Sequence, residues 1–352
     1  MTTAYRVVNW SPSKRAYDLV LTIGIVLYIA IFVLVGKIVT RGDRGISDPI
    51  LLLRALGTCS FLMLHIILCI GPLARLNPRF LPLLYNRRHF GVATFFVALL
   101  HALLVLGWYH GFGVITPFES LLRSNTQYGS PVAFPFEMLG ILALAVLFVM
   151  AATSHDFWLH NLSPRTWKRL HMLVYVAYAL LVMHVALGAL QGERSWAYPV
   201  MTAAGAIIVV SLHLIAGRRE VKRDTRESAK PSATWVDVGS VDDIREGRAI
   251  TVCLPGAERV AVYRYGGKIS VVTNVCVHQG GPLGEGKIID GCVTCPWHGY
   301  QYRPSDGQSP PPFTEKIATH RVKVQGKRIF VDPTPLPPGT AVEPARIEGG
   351  AT

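Results

Sequence analysis

The chain has 352 residues, 51% hydrophobic and 16% charged, and its mean hydropathy is +0.35. Soluble domains average about 25% charged residues, so a purely soluble protein is excluded, and six cysteines are too few for a disulfide scaffold. The net charge is +13, of which residues 1–230 hold +12 (22 Lys and Arg against 10 Asp and Glu), so the basic excess sits in the apolar part and points to a membrane protein, not a nucleic-acid binder.

In chain order, a short tail (1–16) precedes six apolar stretches: Leu19–Gly36, Ile50–Gly71, Phe90–Tyr109, Phe134–Thr153, Leu170–Leu190 and Tyr198–Ala216. Each approaches the ~20 residues a helix needs to cross the hydrocarbon core. A soluble helical core would not carry six such runs, and the first run is too long and lacks the small-residue cleavage site of a signal peptide. The spacing therefore predicts a six-helix bundle over 17–217, with Pro135 and Glu137 marking an atypical start to its fourth helix. Lys and Arg number 16 in the tail, the second and fourth loops and the segment after helix six, against five in the other loops. The positive-inside rule then puts both termini and everything after residue 217 in the cytoplasm, most simply at a bacterial inner membrane.

Five histidines fall within these stretches: His65, His101, His171, His184 and His213. Ionisable groups at membrane depth are costly and usually face a bundle interior or a functional site. Any one of them could be a hydrogen-bonded packing residue, but neutral imidazole is also a good axial ligand for haem iron, and bundles build cofactor sites between facing helices. His101 and His184 lie at similar depth, about 20 Å from their inner ends at ~1.5 Å per residue, and form one plausible pair; His171 and His65, nearer the inside, form a second. On an ideal helix His171 and His184 would point about 140° apart, so they need not face the same partner.

The run Asn86-Arg-Arg-His-Phe-Gly-Val-Ala-Thr-Phe-Phe-Val-Ala-Leu-Leu-His101, with Trp167-Lys-Arg-Leu-His171 and His184 behind it, resembles the ferric-reductase-like transmembrane domain over about residues 48–190, and within it the MsrQ (YedZ) type. The resemblance implies b-type haem, one or two per chain, electron transfer across a membrane, and His101, His184 and His171 as ligands, with His65 as a further candidate. The flavin and nicotinamide domain of eukaryotic relatives has no counterpart here, and the earlier histidine that many relatives carry on helix three falls near Arg87.

Residues 218–232 are polar and basic and read as a juxtamembrane linker, mainly a topology determinant. Beyond them, short strand-like runs at Trp235–Val238, Arg248–Leu254, Val260–Tyr265, Ile269–Thr273, Lys287–Ile289 and Arg321–Val324 predict a small all-β domain over 233–333. A Pro- and Gly-rich tail, 334–352, is expected to be disordered.

Within that domain stands Cys276-Val-His278, then sixteen residues, then Cys295-Pro-Trp-His298. Two loops that each offer one thiolate and one imidazole suit a [2Fe–2S] cluster with Cys276 and Cys295 on one iron and His278 and His298 on the other. A Cys2His2 zinc site is the competing reading, which this spacing and its Gly-rich loops fit poorly, and Cys292-Val-Thr-Cys295 reads as a packed thiol ahead of a ligand. With Gln-Gly-Gly-Pro-Leu-Gly after His278, His-Gly-Tyr-Gln-Tyr from His298 and the Pro310-Pro-Pro loop, residues 234–332 resemble a Rieske ferredoxin domain. High-potential Rieske proteins carry an inter-loop disulfide whose positions here are Gly281 and Trp297, and a Ser that is here Tyr300, while Tyr302 matches their hydrogen-bonding Tyr. The resemblance thus implies a potential in the lower part of the roughly −150 to +300 mV Rieske range.

The reading that joins both halves is a membrane electron-transfer protein. A cytoplasmic reductase or ferredoxin would feed the cluster, and haem would carry electrons outward to an extracytoplasmic redox partner. Quinol-to-Rieske flow in the opposite direction and a membrane redox sensor are the alternatives. A Rieske oxygenase is not expected, because too little chain follows the motif here for a non-haem iron domain.

Overall fold

The computed structural model describes residues 12–39, 46–84, 87–154, 158, 162, 164–192, 195–228, 235–255, 258–278, 280–297, 299–311 and 313–347. His298 and most of the N-terminal tail lie outside them. The chain divides into two compact units, the first of Met1–Pro72, Asn86–Asn161 and Arg169–His213, the second of Leu73–Tyr85, Leu162–Lys168 and Leu214–Thr352.

The helices are α1 (Pro12–Val39), α2 (Asp48–Leu76), α3 (Arg87–His110), α4 (Pro117–Arg123), α5 (Phe136–Ala152), α6 (Pro164–Met172), α7 (Val174–Leu187), α8 (Ala189–Gly192) and α9 (Ala197–Ser228). All six predicted stretches are helical. Five helical segments are long and apolar enough to cross a membrane; α5, with 17 residues, reaches about 25 Å, the lower limit for a span. Pro135 at its N-terminal boundary is what shortens it, since that ring fixes φ and removes a backbone donor.

In the first unit α2 is central. One of its faces (Leu56, Cys59, Met63) meets α1 and Val97 of α3, while the other (Phe61, Leu64, Leu68) meets Tyr178 of α7 and Val209 of α9. Ala143 of α5 and Ala177 of α7, both fully buried, let those helices approach closely beside Phe95 of α3. Leucine, isoleucine and valine also cover the outward faces, as expected where hydrocarbon replaces water. The predicted fifth span is not one continuous helix: the chain tightens at Leu173, whose N–H donates to the Leu170 carbonyl, and again at Gly188.

Two sequence expectations need correction. The linker does not begin at 218: α9 continues to Ser228 through Arg-Arg-Glu-Val-Lys-Arg, residues with good helix propensity, and only 229–232 of the linker lie outside the described residues. Nor is 334–347 disordered. Strand β11 (Ala345–Arg346) pairs antiparallel with β4 (Lys268–Thr273), Ile347 packs on the domain core, and the Val342 N–H donates to Ser305. The prolines there fix a path along the surface instead of loosening it.

The β domain has three small sheets. One orders β1 (Val236–Ser240), β10 (Arg328–Val331) and β9 (Val322–Gln325); the second runs β11, β4, β3 (Arg259–Tyr265), β2 (Arg248–Cys253), with β8 (Thr319–His320) also on β4; the third orders β5 (Lys287–Ile289), β6 (Cys292–Thr294) and β7 (Gln301–Tyr302). Side-chain alternation divides the interior. Val260, Val262, Ile269 and Val271 fill one core with Ile329 and Val331; Ala261, Tyr263 and Val272 join Val293, Tyr302, Cys276 and Cys295 in the other.

Candidate electron-transfer centres

The two cysteine loops of the β domain share one backbone design. After β4, the Cys276 N–H donates to the Gly281 carbonyl (2.9 Å) and the Gly280 N–H returns to Cys276 (2.6 Å). After β6, the Cys295 N–H donates to Tyr300 (2.8 Å) and the Gly299 N–H to Cys295 (3.0 Å). Gly280 and Gly299 take φ of +71° and +72°, a left-handed conformation that lets each loop fold back four residues after its cysteine and that a Cβ would strain. The loops come so close that a Cβ on Gly281 would lie 2.7 Å from Cys295 Sγ.

Both thiols are 1% exposed and neither is in a disulfide. The Tyr302 hydroxyl lies 3.2 Å from Cys276 Sγ, and the Tyr300 ring stacks on His278 at 4.7 Å and 12°. The Tyr300 hydroxyl donates to Glu315. Burial, and then that carboxylate, pushes the Tyr300 phenol up, so it stays a donor. Burial would raise Glu315, but donation from Tyr300 and from backbone N–H groups brings it below its ordinary value and keeps a negative charge beside His278. Tyr302 is likewise pushed up, by burial first and then by Cys276. Two buried thiols and an imidazole at one end of the sheets form a donor set suited to a cluster with mixed sulfur and nitrogen ligands. Among the described residues no group of three or more His, Cys, Asp or Glu is arranged around a single ion.

The bundle repeats a design too, at longer range. His101 Nδ1 of α3 donates to the Leu53 carbonyl of α2 (3.0 Å), and His184 Nδ1 of α7 donates to the Phe136 carbonyl at the start of α5 (2.8 Å). Donor and acceptor are separated by 48 residues in both pairs. In both, a glycine four residues past the acceptor makes room: a Cβ on Gly57 or Gly140 would sit 2.9 Å from its imidazole Cε1. A carbonyl only accepts, so Nδ1 carries the proton and Nε2 keeps its lone pair, the tautomer that binds iron. His101 and His184 are thus two pre-oriented nitrogen donors of the kind that suits a haem iron.

The structure separates the other histidines from this pattern. His65 is buried, with Nδ1 on the Phe61 carbonyl (2.7 Å) and Nε2 3.1 Å from the Tyr178 hydroxyl. Both nitrogens are engaged and the ring lies against Gly205, so His65, expected to pair with His171, is held here as a hydrogen-bonded core residue. His171, half-buried on α6, has Nε2 3.4 Å from Ser154 Oγ, and His213 bonds the Val209 carbonyl of its own helix. The paired glycines and carbonyls, Glu315, and the Tyr300–His278 stack are absent from the sequence reading. A glycine 44 residues before an intramembrane histidine, occurring twice, is the signal that would have revealed the first.

Comparison with known proteins agrees with this division. Residues 55–182 match the ferric reductase like transmembrane component, and residues 234–321 match the Rieske [2Fe-2S] domain. The protein-methionine-sulfoxide reductase heme-binding subunit MsrQ of Herminiimonas arsenicoxydans is 32% identical over 45% of this chain and 69% of its own length. The chain belongs to the MsrQ-type ferric-reductase-like family, fused to a Rieske [2Fe-2S] domain. The naphthalene 1,2-dioxygenase ferredoxin component of Pseudomonas aeruginosa is 29% identical over 28% of this chain and 94% of its own. The magnetosome protein MamZ of Paramagnetospirillum magneticum is 27% identical over 58% of this chain, which spans only 29% of MamZ. A ferredoxin-type domain joined to an MsrQ-like membrane domain makes the fusion a membrane electron-transfer protein.

Proposed function

We propose that this MsrQ–Rieske fusion passes electrons from a cytoplasmic Rieske cluster through b-type haem to an acceptor outside the membrane. Cys276 and Cys295 would hold one iron of the cluster, and His278 with His298 the other. His101 and His184 would hold an outer haem, and His171 would serve an inner one. When bound, the cluster and each haem hold and release one electron at a time. The residues of the chain set the conditions for this. The Leu53 and Phe136 carbonyls fix the His101 and His184 tautomers, Gly57 and Gly140 leave space for the rings, and the Tyr302 hydroxyl favours added charge on the cluster by hydrogen-bonding Cys276.

The observation that carries the reading is the twinned histidine-on-carbonyl geometry, because it leaves two Nε2 lone pairs in one bundle beside a Rieske sequence. A cytoplasmic location rests on the loop charge, and outward flow on the cytoplasmic supply of reduced ferredoxins and NADH-linked reductases. MsrQ is named as the heme-binding subunit of a protein-methionine-sulfoxide reductase, which supports a redox-protein partner as the acceptor here. The test is rapid photoreduction of the cluster in membranes while the haem bands are followed. Haem reduction within milliseconds is expected. Haem that stays oxidised, yet is reduced readily by added quinol, overturns the direction.

A further inference from the structure

The second unit contains more than the β domain. It includes Leu73–Tyr85 after α2, Leu162–Lys168 at the start of α6, and the end of α9 from Leu214. Within this unit Arg259 of β3 donates to Glu220 of α9 at 2.6 Å, and Arg75 Nε lies 3.6 Å from Glu285 in the first cysteine loop. Arg219 of α9 donates to the Leu76 carbonyl at 2.9 Å, tying two of the helix ends to each other. In the same unit the indole of Trp167 meets that of Trp297, with centroids 5.6 Å apart and planes tilted by 42°. Trp167 is only 8% exposed.

The chain position of these two indoles gives the contact its meaning. Trp297 stands between Cys295 and His298 in the second cysteine loop. Trp167 precedes His171 by four residues on α6, so the two share one helix face. Tunnelling weakens steeply with distance, and more steeply across a water-filled gap than through packed atoms.

We propose that the Trp167–Trp297 contact is the port through which an electron passes between the Rieske cluster and the haem at His171, clamped by the Glu220–Arg259 and Arg75–Glu285 ion pairs. The proposal rests on the electron-transfer reading above. One electron leaves the reduced cluster and converts one ferric haem to ferrous; no covalent bond forms or breaks and no proton is required. Trp167 and Trp297 are positioning residues, since neither binds a metal.

The experiment uses full-length protein carrying both cofactors, with the cluster reduced by a flash-excited ruthenium complex. Trp167→Ala and Trp297→Ala should each slow haem reduction about tenfold or more. For Trp167→Ala the cluster EPR signal and haem content should be unchanged, and Phe at either position should restore most of the rate. If an alanine variant fails to fold, the charge pair decides: Glu220→Arg and Arg259→Glu should each slow transfer, and the double reversal should recover it. A readout independent of electron transfer is a photo-crosslink: p-benzoylphenylalanine at 167 should attach to the peptide containing residue 297. If the wild type shows no cluster-to-haem transfer, the functional reading falls, while the crosslink still judges the contact. If the wild type transfers and the tryptophan and charge variants match it, or the crosslink is absent, the port is overturned.

Discussion

The β domain and the bundle each present a pair of near-identical devices, but the two pairs are written at different ranges. In the β domain a cysteine, its imidazole partner and its left-handed glycine lie within five residues, and the loop closes on its own backbone. In the bundle each histidine is oriented by a carbonyl 48 residues away on a neighbouring helix. Local devices keep their geometry whenever the loop forms. Long-range ones exist only once helices are packed, so the bundle's candidate site is a product of tertiary structure while the cluster loops come close to being a property of sequence.

The largest expected effect tests the bundle half. His101→Ala and His184→Ala should each abolish binding of one haem, measured by pyridine haemochrome stoichiometry. His65→Ala should keep full haem content and lose only stability, because its nitrogens serve Phe61 and Tyr178. Haem loss from the His65 variant equal to that from the His184 variant would remove the distinction between ligand and core histidine.

Backbone carbonyls cannot be mutated, so the glycines give access to the same contrast at a smaller scale. Gly140→Val places carbon against the His184 ring and should cost about 1–3 kcal/mol, read as weakened haem binding with the cluster intact. Gly299→Ala forces a Cβ into left-handed backbone, at about 1–2 kcal/mol, and should reduce cluster occupancy with haem intact. Each substitution is expected to damage only its own half, and spectra of both centres in each variant check this.

Tyr302→Phe removes the hydroxyl 3.2 Å from Cys276 Sγ. That hydrogen bond favours the more negative, reduced cluster, so its loss should lower the potential by about 20–60 mV, the equivalent of one ordinary hydrogen bond. A redox titration followed by EPR reads the shift, and an unchanged or raised potential refutes the role.

The smallest effect concerns acid stability. Burial lowers the His320 pKa from its ordinary value, while Nδ1 donates to the Asp332 carbonyl. The folded domain therefore prefers the neutral ring. That contribution is complete above the unfolded pKa of about 6.5 and is lost as pH falls through the lower folded value. His320→Asn, which keeps a donor without a titrating ring, should flatten the fall in urea midpoint between pH 7.5 and 5.5. An identical fall in wild type and variant would assign the acid sensitivity elsewhere.

The strand runs at Arg248–Leu254, Val260–Tyr265 and Ile269–Thr273 were legible because alternation and turn residues mark them, and β2, β3 and β4 follow within a residue or so. The apolar stretches announced their helices for the same reason. Residues 334–347 were not legible: proline and glycine read as disorder, and nothing local shows that Ala345 will pair with Ile269. The end of α9 was misread because charge was taken as a boundary, whereas Arg and Glu continue a helix well. Among the histidines, depth along the helix grouped His101 with His184, and the two share one pattern of Nδ1 on a carbonyl 48 residues away. It also grouped His65 with His171, because sequence depth cannot reveal that Tyr178 occupies the space before His65.

The close approach at Gly281 also constrains how this domain could evolve. Acquiring the inter-loop bridge of high-potential relatives requires cysteine at both 281 and 297. Taken first, the change at 281 drives a Cβ to 2.7 Å from the Cys295 sulfur and 3.2 Å from the Trp297 ring. Taken first, the change at 297 removes the indole that meets Trp167. Either order first disturbs a close contact of the present loops, so the bridge fits this domain only if the surrounding packing changes with both positions.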